Sequence, residues 1–560
     1  MAVDEEFLAR FCNTKYDSYE DFYANFKVTY PADFNYGYDV TDALAALHPA
    51  KTALVWCNDL GEERILTFAE IKRQSDKYCN ALRAMGVGTG DVVMVMLKRR
   101  YEFWFFCIAA HKLGAVLIPA THMLKAKDIV YRVEAAHVKM VLAVNEDAIC
   151  TEITAANRKM GGAFLQAALG QRDGFADFAA LAAQSSDAWE RVQLDSKKPM
   201  LAYFTSGTTG MPKIVTHDFY YPLGHITTAK FWHGLGADDL HLTVADTGWA
   251  KTAWGKIYGQ WMCESALFVY DYDSRFHPTD FLRLIDQYKI TSFCAPPTIY
   301  RFLIKEDLRQ YSLKSLRSCT IAGEPLNPEV YEQWLAATGH KLREGFGQTE
   351  GPVMVATTVW TQPRPGSMGK SIAGIACDVY DAQGRLCEPG EEGEMCIPYA
   401  DGQRPLGLFM TYLGEPERYD SVVYGGLYHT GDSAWRDEDG YIWFKGRNDD
   451  IIKSSGYRIG PFEVESALLE HPAVKESAIT GVPDPVRGLS VKATVVLAAG
   501  WEASDALAKE LQEHVKRTTA PYKYPRIIEF VEELPKTISG KIRRVEIRQN
   551  DERQNDAENA

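Results

Sequence analysis

The chain has 560 residues, 46% of them hydrophobic, which is enough for large buried cores; at about 150 residues per domain the length suggests three or four units. Its 61 Lys and Arg against 75 Asp and Glu leave a net charge of −14, which opposes general attraction to nucleic acid or to an anionic membrane, so any anion site must be local. The 11 cysteines contain no C-x-x-C pair and are odd in number, so neither a zinc knuckle nor a disulfide framework is indicated and a reducing cytoplasmic setting is expected. The acidic start, Met1-Ala2-Val3-Asp4-Glu5-Glu6, lacks the basic-then-apolar order of an export signal.

In chain order, Val92 to Leu97 reads as a buried strand, Phe103 to Ala110 as an apolar helix closed by Gly114, Ala115 to Pro119 as a second strand and Met140 to Val144 as a third. The Phe103 run is far short of the ~20 residues that span a bilayer, so no stable membrane insertion is expected. Strands alternating with helices predict βαβ units and parallel sheet covered on both faces. Leu201 to Phe204 is another short strand, and Thr291 to Ala295, Ser318 to Ala322 and Leu342 to Phe346 continue the series. Between the last two, Asn327-Pro328 opens a helix to Thr338, as an N-cap followed by a first-turn proline should. Near Gly431 the pattern changes to short strands and tight turns, with Asp437 to Gly440 joining a hairpin. Gly446 to Asp450 is polar and turn-prone. Beyond it, a helix at Pro461 to His471 and an extended run at Glu476 to Gly481 describe a small α+β unit. Gln549 to Ala560 has no apolar periodicity and is expected to fray.

The most informative string follows the Leu201 strand: Thr205-Ser206-Gly207-Thr208-Thr209-Gly210-Met211-Pro212-Lys213. Small hydroxylated and glycyl residues ending in a lysine can wrap N–H groups and a cation around phosphate at the edge of a sheet. It is not a Walker loop: Pro212 removes a donor before the lysine, and Ile214 stands where a magnesium-binding hydroxyl would be. Alone, such a string also reads as a Gly/Ser/Thr linker. Five further strings follow in order. They are Glu344-Gly345-Phe346-Gly347-Gln348-Thr349-Glu350, Tyr428-His429-Thr430-Gly431-Asp432, Gly446-Arg447-Asn448-Asp449-Asp450 with Gly456-Tyr457-Arg458, and Pro535-Lys536-Thr537-Ile538-Ser539-Gly540-Lys541. The ordered set resembles the adenylate-forming acyl-CoA synthetases over most of the molecule, and within them the AMP-forming medium-chain enzymes.

The resemblance implies an α/β fold with a large N-terminal domain of helix-covered sheets (1–447), a small mobile C-terminal α+β lid (448–546) and a flexible tail (547–560). It implies a two-step reaction: a carboxylate attacks the α-phosphate of ATP and releases pyrophosphate, then the CoA thiol attacks the acyl-adenylate and releases AMP. Thr205 to Lys213 would hold the β- and γ-phosphates. Glu344, Gly345, Phe346, Gly347, Gln348 and Thr349 would line adenine and the α-phosphate, and Glu350 would take Mg2+. Phe346 replaces the tyrosine more usual in the family, which keeps stacking and loses a phenolic hydrogen bond. Asp432 and Arg447 would hold the ribose, Arg458 would sit near the phosphates, and Lys541 would be the adenylation lysine, making Lys541, Thr349 and Glu350 the catalytic set.

For CoA the resemblance points to His122, Ser455, Gly456, Tyr457, Arg487, Tyr524, Pro525 and Arg526, and for the hinge to Asp449. Trp249, Trp254 and Gly255 are candidates for the acyl channel. Gly347 stands where acetate-specific relatives carry a tryptophan, so an open channel is expected. The implied ligands are a small carboxylic acid, ATP, Mg2+ and coenzyme A; assembly into a homo-oligomer is left open. Two other readings are weighed. A ligase loading a carrier protein is opposed by Arg487 and Arg526, and a catalytically silent nucleotide-binding homologue by intact Lys541, Thr349 and Glu350.

Overall fold

The computed structural model describes residues 7–205, 212–272, 276–455, 457–484, 487–536 and 541–558. Two sheets share one large hydrophobic core that includes Leu54, Val93, Tyr203, Trp261 and Leu267. The first has eight strands, in the order Thr411–Tyr412, Lys213–Asp218, Pro199–Thr205, Val116–Pro119, Val92–Met96, Val138–Val144, Leu165–Leu169 and Ala176–Asp177. Its centre, Val92–Met96, is paired in parallel on both sides. Buried apolar strands with helical crossovers account for that. Helix Glu102–Leu113 is buried from Phe103 to Leu113 and ends at Gly114 with φ 81°. A side chain there would meet Leu194 and Thr89 within 3.0 Å, so both the left-handed cap and the close packing require glycine.

The second sheet has 14 strands. Its parallel portion runs through Leu240–Thr243, Ala266–Asp271, Ser292–Ala295, Ser318–Ala322 and Leu342–Phe346. It then turns antiparallel through Val355–Ala356 and Ser367–Ser371 into the hairpin of Leu427–Arg436 and Ile442–Arg447. Asn327 caps the helix Pro328–Thr338 by accepting from the Glu329 N–H. The third sheet uses only later residues: Ile452–Ser454, Tyr457–Ile459, Val474–Asp484, Gly488–Leu497 and Ile527–Phe530. Helices Pro461–Leu469 and Asp505–Thr518 cover it around its own core of Val464, Leu468, Ile479, Val491, Leu511 and Val515.

The end of the chain corrects the sequence reading. Helix Arg544–Glu558 continues through the segment expected to fray. Ile547 is buried with Ala478, Val496 and Leu534, and buried Asp551 pairs with Lys492, which also meets Glu529 at 2.7 Å. Ile547, the desolvated Asp551–Lys492 pair and the ion pairs of Arg544 and Arg548 with Glu465 and Asp450 anchor the helix without any apolar periodicity. All eleven cysteines are buried and unbridged, and no helix among the described residues is long and apolar enough to cross a membrane.

Candidate active site

The ends of the Thr205 to Lys213 string lie opposite each other on paired strands, so the string closes a hairpin at the sheet edge. Ser206, Gly207, Thr208, Thr209, Gly210 and Met211 fall outside the described residues. At one end, the buried Thr205 hydroxyl has no hydrogen-bond partner, which suits an incoming phosphate oxygen. Pro212 accepts from the Tyr131 hydroxyl at 2.8 Å through its carbonyl. Lys213 Nζ lies 2.6 Å from Glu350 Oε1, and the Tyr412 hydroxyl donates to the same oxygen at 2.8 Å. Burial pushes the Glu350 pKa up, but the Lys213 charge and the hydrogen bonds from Lys213 and Tyr412 outweigh it, so the carboxylate stays ionised below its ordinary range. The Thr349 carbonyl bonds to His217 Nε2 at 2.9 Å. Burial lowers the pKa of His217 to about 3, so the ring is neutral and its one proton sits on Nε2, facing that carbonyl.

The ribose candidates meet beside this cluster. Gln348 donates from Nε2 to Asp432 Oδ2 at 2.6 Å and to the Thr430 carbonyl at 2.8 Å, and its Oε1 accepts from the Tyr428 hydroxyl at 2.6 Å. Arg447 Nη1 lies 3.5 Å from Asp432 Oδ1. Burial raises the Asp432 pKa to about 6, against the lowering pull of Arg447, the Gln348 hydrogen bond and the Lys541 charge. Lys541 also lowers the pKa of buried Lys251, after burial itself. The Lys541 charge is thus felt at both of these buried groups.

The rest of the adenine string divides. Phe346 faces Phe444 at 6.3 Å, and Gly345 backs onto Trp232. Glu344 turns away to the Leu326 N–H at 3.3 Å, and burial raises its pKa to about 8, so it is a neutral brace for the turn before the Pro328 helix. Gly347, the residue expected to leave the acyl channel open, lies against Trp254. A side chain there would meet the Trp254 ring at 2.4 Å, so the space freed by glycine is filled by that indole, whose Nε1 donates to the Gly351 carbonyl at 3.1 Å. The geometry follows from Gly255 pressing on Thr243, which seats the Lys251–Gly255 helix against the strand. Trp249 is half-buried in the turn just before it.

The CoA candidates gather elsewhere. Arg487 Nη1 donates to Ser455 Oγ at 3.2 Å, Tyr457 stacks on Tyr522 at 4.1 Å, and Arg526 lies over Tyr524 at 4.7 Å, with Pro525 between. Gly456 and the Arg458 side chain are outside the described residues. His122 is apart from this group on the large body, 3.5 Å from Asp246. Asp449 sits in the turn 448–450 between the second and third sheets, 3.6 Å from Arg447 Nε. Sequence reasoning missed Tyr412 and His217, which carry no motif, and gave Tyr428 no role although it opens a quoted string.

Residues 42–413 match the AMP-binding enzyme family and residues 463–541 its AMP-binding enzyme C-terminal domain. Acyl-coenzyme A synthetase ACSM3, mitochondrial, of Mus musculus is 41% identical over 544 residues, 95% of this chain and 93% of that protein. Acyl-coenzyme A synthetase ACSM4, mitochondrial, of Rattus norvegicus is 42% identical over 523 residues, 92% and 90% respectively. The anthranilate CoA ligase AuaEII in complex with anthranoyl-AMP superposes with a TM-score of 0.83 at 28% identity, covering 93% of this chain and 98% of that one. The acyl-CoA synthetase of Brucella canis gives 0.72 at 32% identity, with 96% and 100% covered. The mitochondrial relatives overturn the cytoplasmic expectation, because unpaired cysteines report a reducing environment and not a particular compartment. With both family domains matched in order and curated relatives above 40% identical over nine-tenths of the chain, the chain belongs to the AMP-forming medium-chain acyl-CoA synthetases, which activate a carboxylic acid with ATP as the acyl-adenylate and pass it to CoA.

Proposed function

We propose that the acid is a medium-length aliphatic or aromatic carboxylate, and that the described cluster divides the chemistry as follows. Lys213 leaves Glu350 for the β- and γ-phosphates when ATP binds, joined by the Thr205 hydroxyl and the string after it. Glu350 is an ionised, oxygen-only donor, which suits Mg2+; Glu350 would hold the ion together with phosphate oxygens, and the ion would supply positive charge to the pyrophosphate side. Asp432 accepts from the ribose hydroxyls, with Arg447 beside it. Lys541 lies between the attacking carboxylate and the α-phosphate, where charge develops. The acid's oxygen forms a bond to the α-phosphorus as the bond to pyrophosphate breaks. In the second step the thiol sulfur bonds to the acyl carbon, the acyl C–O bond breaks, and AMP leaves. The lid group around Ser455, Tyr457, Arg487, Tyr524 and Arg526 binds CoA once a turn at Asp449 exchanges it with Lys541. We place the domain boundary at this turn, near 447/448, and the chain in the mitochondrion, as the names of its relatives suggest. The observation that carries the reading is the meeting of Gln348 and Arg447 on the buried Asp432 carboxylate, beside the Lys213–Glu350 pair.

The ribose role predicts a pH limb. Asp432 has a raised pKa, so it is ionised at pH 7.5 and becomes protonated as pH falls through about 6, losing its acceptor. The kcat/KM for ATP should fall about tenfold per pH unit below that point, because this parameter reports the free enzyme. Asp432→Asn should be weaker throughout and lack this limb, which separates it from protonation of ATP itself. An unchanged limb in the variant would remove Asp432 from the ribose site.

Trp254 sets the depth of the acyl site in the same reading. Each additional buried CH2 contributes up to ~0.8 kcal/mol, about fourfold in kcat/KM, until the chain meets the indole. From acetate to decanoate, the unmodified enzyme should be poorest with acetate. Trp254→Ala should move the optimum at least two carbons longer. An optimum at acetate, or one unmoved by Trp254→Ala, would reject this pocket.

A further inference from the structure

Three metal-ligating side chains that the reaction leaves unused meet on one face of the second sheet. Strand Glu392–Pro398 runs antiparallel to Leu427–Arg436, with Cys396 directly opposite His429. Alternation places Glu394 on the same face as Cys396, and a register shift between the two lets its carboxylate reach the imidazole. His429 Nδ1 lies 3.4 Å from Cys396 Sγ and 3.0 Å from Glu394 Oε2, and the three ligand atoms are within 4.8 Å of one another.

We propose that Glu394, Cys396 and His429 form a site for a thiophilic divalent cation of the zinc type, and that ion binding there weakens nucleotide binding through Gly431. A tetrahedral centre with ~2.3 Å to sulfur and ~2.0–2.1 Å to nitrogen and oxygen holds its ligand atoms roughly 3.3–3.6 Å apart, close to the 3.4 and 3.0 Å that separate His429 from the other two. Sulfur, imidazole and one carboxylate with a fourth position open is a zinc-type donor set; Mg2+, which prefers oxygen alone, is disfavoured. The imidazole is already oriented: stacking on Tyr424, with centroids 3.8 Å apart and planes 6° apart, holds the ring plane, and the 3.0 Å contact with Glu394 turns Nδ1 toward the other ligands. Cys396 is fully buried, whereas Glu394 and His429 are partly exposed, so an entering ion meets carboxylate and imidazole first. Binding releases the thiol proton to solvent and shifts the imidazole proton from Nδ1 to Nε2.

The link to the nucleotide is one hydrogen bond. Glu394 Oε1 accepts from the Gly431 N–H at 2.8 Å, and Gly431, at φ 75°, immediately precedes Asp432. Drawing Glu394 onto an ion loosens the loop that sets the Asp432 carboxylate. This coupling rests on the ribose role of Asp432; the metal site itself does not.

Cadmium is a direct probe, because its thiolate bond absorbs in the ultraviolet. Titrating Cd2+ into the chelator-treated, full-length protein should give a charge-transfer band that saturates at one equivalent. Cys396→Ser should abolish the band, and His429→Gln should weaken binding at least tenfold. Glu394→Gln should do the same while its amide oxygen still accepts from Gly431, which keeps the test available if Cys396→Ser fails to fold. No band in the unmodified protein, or an equal band in Cys396→Ser, would overturn the site. In parallel, Zn2+ should raise the ATP KM at least threefold in the unmodified enzyme and leave Cys396→Ser unaffected. Cadmium binding with an unchanged ATP KM under Zn2+ would overturn the coupling through Gly431 while the site stands.

Discussion

Lys541→Ala is expected to separate the two half-reactions. Pyrophosphate release from ATP and acid should fall by at least the ~10²–10³ that follows loss of one transition-state donor, whereas conversion of supplied acyl-adenylate and CoA to acyl-CoA and AMP should persist. Under the proposed roles, the Lys541 charge is felt at Asp432 in the ribose group, whereas the CoA candidates Ser455 and Arg487 pair with each other. Measuring pyrophosphate in one assay and thioester in the other decides it. Equal losses in both would mean that Lys541 holds the lid together and has no special part in adenylation.

Asp449→Pro should do the opposite. The turn 448–450 is the short connection between the hairpin strand Ile442–Arg447 and the first lid strand, Ile452–Ser454. On its lid side, Asp450 is clamped by Arg548 at 2.7 Å and approached by Arg544 at 3.6 Å, and Arg544 also forks onto Glu465 at 2.7 and 2.8 Å. On its other side, Asn448 donates its N–H to the Gly431 carbonyl at 2.8 Å. Both flanks are held, so a rotation of the lid has to be absorbed by the dihedrals around Asp449. Proline fixes φ near −65° and removes that freedom. Adenylation should stay within about threefold while the thioester step slows by about tenfold or more, in line with a gating role. Comparable CoA-dependent turnover in variant and unmodified enzyme would exclude a hinge at this position.

These expectations draw on two kinds of information. The strands Val92–Met96, Ser318–Ala322 and Leu342–Phe346 were legible because each is a short apolar or mixed run between strong punctuators, and parallel pairing needs little beyond that. The nucleotide strings were legible because a sheet edge presents its loop residues consecutively in the chain. What joins the strings was not legible. Lys213 and Glu350 are 137 residues apart, Tyr412 and Glu350 are 62 apart, and Asp551 and Lys492 are 59 apart; no local pattern marks any of these pairs. The depth of the acyl site was not legible for a related reason. Gly347 announces an absent side chain, but how far the vacancy opens to substrate depends on Trp254, which arrives from the Lys251–Gly255 helix and lies against it. Glu344 shows that even a motif residue can serve the fold: strand alternation turns it from its neighbours toward Leu326.

The measurement that bears most directly on the chemistry follows one oxygen atom. If the carboxylate attacks the α-phosphate and the thiol later cleaves the acyl C–O bond, an acid labelled with 18O in both carboxylate oxygens must leave one label on AMP for each acyl-CoA formed and none on pyrophosphate. Mass spectrometry of the products of the unmodified enzyme should show that transfer. Label in inorganic phosphate with ADP as the nucleotide product, or unlabelled AMP alongside acyl-CoA, would contradict an acyl-adenylate route at this site.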